Sequence, residues 1–171
     1  MGPREVNMRG PCRRSPPMFH LVLVHPQIPP NTGNVIRLAA NVGAALHLVE
    51  PLGFALDHAR MRRAGLDYHE FVRVQVHATL EAFQSLVRPP RCFAFSTSGT
   101  QRFDQPRYVA GDALLFGSET TGLDRGLLGT LPPDQVLRLP MRPGNRSLNL
   151  SNAVAVAAFE VWRQLGFEGA G

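Results

Sequence analysis

The chain has 171 residues, of which 44% are hydrophobic and 18% charged, so it is most simply one globular domain. No apolar run approaches the roughly 20 residues of a membrane helix. The two cysteines match no metal or redox spacing, which favours a reduced, cytoplasmic setting. The formal charge of +5 falls to +2 without residues 1–17, because fourteen arginines and twelve acids remain, so charge argues little for a nucleic-acid partner.

Residues 1–17 are rich in proline, glycine and arginine and lack apolar periodicity, so we predict a disordered leader. This segment also lacks the apolar core of a signal peptide. Met18 is equally plausible as the native start, in which case the leader is a tag or an artefact of gene annotation or cloning. We therefore expect one folded domain over 18–171.

From Met18 onward, short apolar runs alternate with amphipathic segments. Strands are predicted at 19–25, 46–50, 72–76, 92–96, 113–117 and 136–140. Helices are predicted at 34–43 with a Gly43 stop, 57–71, 79–87 with a Thr79 cap, and 151–166 with a Gly166 stop. Continuously apolar strands separated by helices indicate an α/β fold with a parallel sheet covered on both faces. Such sheets bind ligands at the carboxyl ends of their strands.

The first polar loop is "NTGNVIR" at 31–37. A glycine turn followed by an asparagine helix cap accounts for Asn31, Gly33 and Asn34. It does not account for Arg37, since an unpaired guanidinium on an apolar helix is costly to bury. Arg37 therefore either pairs with a carboxylate or lines a site.

Two further loops carry polar residues. "FGSETTGL" at 116–123 has the glycine spacing of a phosphate loop, but no Lys-Ser/Thr follows Gly122, so that interpretation fails. Taken alone, Glu119 reads as a solvated turn carboxylate. The last loop places four polar residues where helix caps belong, and four are more than capping requires: Ser147, Asn149, Ser151 and Asn152. No set of His, Cys and carboxylate residues has metal-ligand spacing, so no metal is expected.

Together, and in this order, "IPPNTGNVIRLAANVG", "FGSETTGL" and "RSLNLSNAVAV" resemble the three signature motifs of the SPOUT-class RNA ribose 2′-O-methyltransferases. The segment "PLGFALDHARMRRAGLDYHEF" resembles the TrmL type, which modifies the wobble nucleotide of tRNA. The resemblance runs from about Met18 to the C-terminus. It implies an α/β fold with a C-terminal trefoil knot and an obligate homodimer.

The resemblance also implies a cofactor and a substrate. The methyl donor would be S-adenosyl-L-methionine, and the acceptor would be the ribose 2′-hydroxyl of a cytidine or modified uridine at position 34 in the anticodon stem-loop of tRNA. The residues that match the cofactor site or adjoin it are Phe95, Ser96, Thr97, Gly99, Gly117, Leu139, Met141, Ser147 and Leu148.

The implied catalytic group comprises Arg37, Asn31, Glu119 and Asn152. Because a guanidinium titrates near or above ~12.5, we expect Arg37 to stabilise a developing alkoxide and not to act as a base without strong perturbation. Glu119 is a candidate partner for Arg37. Thr121 and Ser98 stand where close relatives often carry a basic residue, which puts the affinity for RNA and the substrate range in question.

Two alternatives stay open. The same chemistry could act on another tRNA position or on ribosomal RNA. A non-catalytic nucleotide-binding α/β protein would also use polar loops, whereas a purely structural dimer module leaves the polar residues 145–152 without a purpose.

Overall fold

The structure is a computed structural model that describes residues 17–55, 74–145 and 147–171. The predicted helix at 57–71 and almost all of the predicted leader lie outside these residues. Seven strands are present in the described part: β1 His20–Val24, β2 Ala45–Val49, β3 Val74–His77, β4 Cys92–Phe95, β5 Gln101–Arg102, β6 Ala113–Phe116 and β7 Val136–Arg138. The helices are α1 Pro29–Val42, α2 Leu80–Val87, α3 Arg125–Thr130 and α4 Leu150–Gln164, with a 3-10 turn at Pro133–Gln135.

The strands form one parallel sheet in the order β3-β2-β1-β6-β4-β7-β5. This confirms the predicted parallel α/β fold. Strands β2, β4 and β6 are buried along their whole length, as expected where helices cover both faces. Because all strands run the same way, their carboxyl ends meet at one edge of the sheet, which is where ligands bind in this class of fold.

Helices α1 and α4 pack together on one face of the sheet, where Ile36 and Ala157 join Leu21 and Leu114 in the larger core. Helices α2 and α3 lie on the other face over a second core around Val22. No helix among the described residues is long and apolar enough to cross a membrane. The trefoil knot stays a prediction.

The predicted helix ends are confirmed at two positions. Thr79 caps α2, because its hydroxyl accepts a hydrogen bond of 3.1 Å from the backbone N–H of Ala82. Gly43 ends α1 in the left-handed conformation with φ 71°, which glycine adopts without strain.

The predicted start of α1 is wrong. The helix begins at Pro29 and not at residue 34, so Asn31 and Gly33 lie within its first turns and not in a glycine turn before it. Two prolines open the helix because their fixed φ suits its first turn and the N–H that proline lacks would be unpaired there. The N-cap residue Ile28 has no capping side chain of its own.

Candidate functional site

A cavity of about 630 Å³ opens at the carboxyl ends of β4, β6 and β7. The three polar segments singled out in the sequence converge on it from positions far apart in the chain. Ten of the thirteen predicted site residues line the cavity: Asn31, Phe95, Ser96, Thr97, Gly117, Glu119, Leu139, Met141, Ser147 and Leu148.

Glu119 joins the loop after β6 to the start of α1. Its carboxylate accepts hydrogen bonds from the backbone N–H groups of Gln27 at 2.9 Å and Ile28 at 3.1 Å, and from the side-chain amide of Asn31 at 3.0 Å. The carboxylate thus supplies the negative charge that the first turn of α1 lacks. Among the described residues, the hydrogen bonds of Glu119 do not include one to Arg37, its predicted candidate partner.

These hydrogen bonds keep Glu119 ionised. Partial burial by itself would raise the pKa of Glu119, but the donors from Asn31, Gln27 and Ile28 outweigh it and hold the pKa below its usual range. At neutral pH the side chain is therefore a fixed anion. It is suited to organising the site and not to exchanging protons.

Asn149 extends this network to the third segment. Its side-chain amide donates to Asn31 Oδ1 at 3.0 Å, while its own Oδ1 accepts from the N–H of Ser151 at 2.9 Å and from the Ser151 hydroxyl at 2.7 Å. Asn149 is therefore the N-cap of α4 and a wall of the cavity at once. The predicted set contained Asn152 in its place, although the excess of polar residues before the helix already pointed to Asn149.

Side-chain hydrogen bonds hold the loop after β6 in place, one within the loop and one to Gln27. The hydroxyls of Ser118 and Thr121 lie 2.7 Å apart, and Thr120 donates to Gln27 Oε1 at 2.9 Å. Thr121 is exposed, and its hydroxyl thus helps to hold the loop. Gly117 and Gly122 pass so close that a Cβ on Gly117 would lie 2.0 Å from the Gly122 backbone.

The loop after β4 lies across β7. The backbone N–H of Ser96 donates to Leu137 at 2.9 Å, and the hydroxyls of Ser96 and Ser98 lie 2.8 Å apart. A Cβ on the buried Gly99 would come within 2.5 Å of the Leu137 backbone. Gly99 therefore permits this close approach of the two backbone segments. It is not among the residues that line the cavity.

Arg37 and Asn152 also lie outside the cavity. Arg37 is exposed and follows Asn31 by six residues, which places it about 9 Å further along α1 and on a different face of the helix. Asn152 is exposed on α4, three residues beyond the Asn149 cap.

The cavity combines apolar walls with amide, hydroxyl and backbone groups and one fixed carboxylate. Phe95, Leu139, Met141 and Leu148 supply apolar contacts, which suit an aromatic ring system. Nowhere in the described residues do three His, Cys, Asp or Glu side chains group as metal ligands would. The arrangement suits a ligand with an aromatic part and several hydrogen-bonding groups.

Comparison with known proteins gives one family, one similar protein sequence and two solved structures with the same fold. Residues 18–159 match the family model described as the SpoU rRNA methylase family. A tRNA (cytidine(34)-2′-O)-methyltransferase of Burkholderia ambifaria is 61% identical over 154 residues, which is 89% of this chain and 99% of that protein.

Two solved structures share the fold. One, from work on the 2-OH methylation of C/U34 on tRNA, aligns with a TM-score of 0.79 at 46% identity and covers 90% of this chain and 94% of the other. The SpoU methyltransferase AviRb of Streptomyces viridochromogenes, in complex with AdoMet, aligns with a TM-score of 0.75 at 21% identity. That alignment covers 92% of this chain and 61% of AviRb, and at this identity it speaks for the fold alone.

Proposed function

Since the chain belongs to the SpoU rRNA methylase family, we propose that it transfers a methyl group from S-adenosylmethionine to the ribose 2′-hydroxyl of the wobble nucleotide of tRNA. The nucleotide would be a cytidine or a modified uridine at position 34. The relative at 61% identity bears the name of this activity, and its alignment covers almost the whole of that protein. The relative is a bacterial protein named for the modification of tRNA, so we expect the reaction to take place in the cytoplasm.

The observation that carries the proposal is the convergence of three separated segments on one cavity. The apolar walls fit an adenine ring, and the hydroxyl, amide and backbone groups among the lining residues can form hydrogen bonds with the polar parts of the cofactor. When bound, the cofactor supplies a methyl group on a sulfonium. The residues of this chain have to place a ribose oxygen in line with that methyl, which is where positioning contributes most to the rate.

Arg37 is the residue we assign to the ribose hydroxyl. A guanidinium stays protonated near neutral pH, so its role is to orient the 2′-hydroxyl or the neighbouring phosphate and to stabilise the negative charge that develops on the oxygen. Asn31, Asn149 and Glu119 hold the first turn of α1 against the cavity. They would position this machinery without exchanging protons.

A homodimer would bring Arg37 to a cavity that it does not line within one chain. Helix α4 exposes Val156 at 46% and Phe159 at 48%, and these apolar side chains offer a surface for a second copy. We therefore propose that Arg37 of one protomer serves the cavity of its partner.

The rim of the cavity carries charge suited to an RNA strand. Arg138 and Arg142 are exposed and flank the lining residues Leu139 and Met141. Arginine pairs well with phosphate oxygens. Contacts of this kind on either side of the target would hold the anticodon stem-loop.

A tritiated-methyl assay on an anticodon stem-loop with cytidine at position 34 tests the proposal. Arg37→Ala should abolish transfer while calorimetry shows unchanged binding of S-adenosylmethionine. A non-catalytic nucleotide-binding protein would bind the ligand but transfer no methyl group in the wild type. Transfer to ribosomal RNA, with tRNA left unmodified, would identify the other substrate class.

A further inference from the structure

Three histidines form a hydrogen-bonded row across three neighbouring strands, and none of them lines the cavity described above. His20 opens β1, His47 lies in the middle of β2, and His77 closes β3. His20 Nδ1 lies 3.0 Å from His47 Nε2, and His47 Nδ1 lies 2.9 Å from His77 Nε2. Both ring nitrogens of His47 are therefore occupied by other histidines.

His47 and His77 are buried and His20 is half-buried, and Phe83 of α2 packs against all three rings. His47 is 1% exposed and His77 is 5% exposed, and the Phe83 ring of α2 lies 4.8 Å from the His47 ring and 5.5 Å from the His77 ring, centroid to centroid. On the β1 side, the ring of His20 lies 6.4 Å from that of Phe83.

Among the described residues, no carboxylate forms a salt bridge with any of the three histidines. The carboxylate of Asp112, whose backbone oxygen accepts from His20, is held by Arg91 at 2.6 Å. Glu81 on α2 and Glu50, whose backbone N–H donates to the His77 carbonyl, are exposed to solvent. Burial first, and then the positive charges of His20 and His77, lower the pKa of His47 to about 3.

The hydrogen bonds restrict where the protons can lie. Each bond joins two ring nitrogens and needs one N–H donor between them. With three neutral rings, a donor at His20 Nδ1 forces His47 and His77 to carry their protons on Nδ1 as well. The opposite direction places all three protons on Nε2. When the three histidine rings are all neutral, they therefore all have the same tautomer.

The same argument limits proton uptake. One added proton gives four N–H groups, two inside the hydrogen bonds and two on the outer nitrogens, His20 Nε2 and His77 Nδ1, so both bonds survive. A further proton would place two N–H groups face to face in one of the bonds. That bond must then break.

We propose that His20, His47 and His77 form a proton-binding site that holds a single proton with its structure intact. A second proton separates one ring from His47. Since these bonds link β3 through β2 to β1, and Phe83 of α2 packs against the three rings, the separation loosens β3 and α2. The site therefore makes the packing of β3 and α2 against the rest of the sheet sensitive to acid. This effect is independent of methyl transfer.

Nitrogen NMR of the imidazole rings in the ¹⁵N-labelled full chain tests the proposal between pH 8 and pH 5. At pH 8 all three rings should carry their proton on the same nitrogen. As pH falls, the three rings should share one proton while the amide signals of β3 and α2 stay in place. Different tautomers at pH 8, or three separate titrations with unchanged amide signals, would overturn the proposal.

A matched pair of variants gives a second test, in which the unfolding constant is measured against pH from 4.5 to 5.5. His25 is exposed and has φ 55°, a conformation that asparagine tolerates, so His25→Asn is the control. Relative to the wild type, His20→Asn removes one bound proton from the unfolded state only, because the remaining pair of histidines still holds one in the folded state.

The unfolding constant of His20→Asn should therefore rise about tenfold less than that of the wild type for each unit by which the pH falls, and His25→Asn shows the effect of the same substitution outside the site. Equal slopes would mean that the histidines titrate independently, and the proposal would fail. Should His20→Asn not fold, the NMR measurement on the wild type decides alone.

Discussion

Gly117 lies where two stretches of backbone meet at the mouth of the cavity. A Cβ there would lie 2.0 Å from the carbonyl carbon of Gly122 and 2.1 Å from the nitrogen of Leu123, distances at which backbone has to move. Gly122 itself has φ 70°, a conformation that favours glycine. The close approach of these two backbone segments therefore needs a glycine at 117, where a side chain would not fit, and a glycine at 122, where φ is positive.

Gly117→Ala should therefore destabilise the protein by about 3 kcal/mol or more and abolish binding of S-adenosylmethionine. Urea unfolding and calorimetry measure the two effects. Gly129→Ala is the matched control, because a Cβ at Gly129 in α3 meets nothing within 4 Å. Wild-type affinity in Gly117→Ala would contradict the tight packing.

Glu119 gives a prediction with a definite pH dependence. Its pKa is lowered in the folded state, so its stabilising effect is present above the unfolded pKa and is lost as pH falls through the folded pKa. Glu119→Gln should cost about 1–3 kcal/mol at pH 7, because an amide nitrogen replaces one acceptor of a hydrogen bond. The difference from the wild type should shrink between about pH 5 and pH 3, as the wild-type carboxylate is protonated. Unfolding by urea at pH 7, 5 and 4 measures it, and a constant difference would contradict the assignment.

At the scale of whole elements, the start of α4 distinguishes two asparagines. Asn149 caps the helix and binds Asn31, whereas Asn152 is exposed on the helix surface. Asn149→Ala should lower stability by about 1 kcal/mol, as for other caps, and reduce methyl transfer as well, because Asn31 loses its donor. Asn152→Ala should change both much less. The opposite ranking in transfer rate would restore Asn152, the residue predicted from sequence, to the site.

Much of this arrangement could be predicted from sequence because its strands are continuously apolar. Runs such as 19–25 and 113–117 allow few other placements, and each is confirmed as a buried parallel strand. Strand β5 escaped prediction because it has only two residues, Gln101 and Arg102, and exists through its pairing with β7.

The start of α1 was also not predicted, because it too depends on a residue far away in the sequence. Its charge at the first turn comes from Glu119, 92 residues beyond Gln27 in the chain, so no local cap marks the beginning of the helix. Ranking Asn149 above Asn152 likewise required knowing which of the two faces Asn31. Local pattern predicted the elements, and contacts between distant loops decided the site.

At the scale of the whole molecule, the position of Arg37 is the reason for the proposed homodimer. It lies outside the cavity of its own chain, about 9 Å beyond Asn31 along α1. If Arg37 acts on the substrate of the partner protomer, each site of the dimer combines one cavity with the other subunit's arginine.

This arrangement predicts complementation between two inactive variants. Arg37→Ala removes the arginine, and Ser147→Trp fills the cavity from an exposed lining position, so each alone should show almost no methyl transfer. Mixed in equal amounts and refolded together, half of the dimers should carry one complete site, and activity should return to about a quarter of the wild type. As a control, Ser147→Trp mixed with the double variant Arg37→Ala, Ser147→Trp has no open cavity and should stay inactive. If the first mixture also stays inactive while light scattering shows mixed dimers, Arg37 does not serve the partner's cavity.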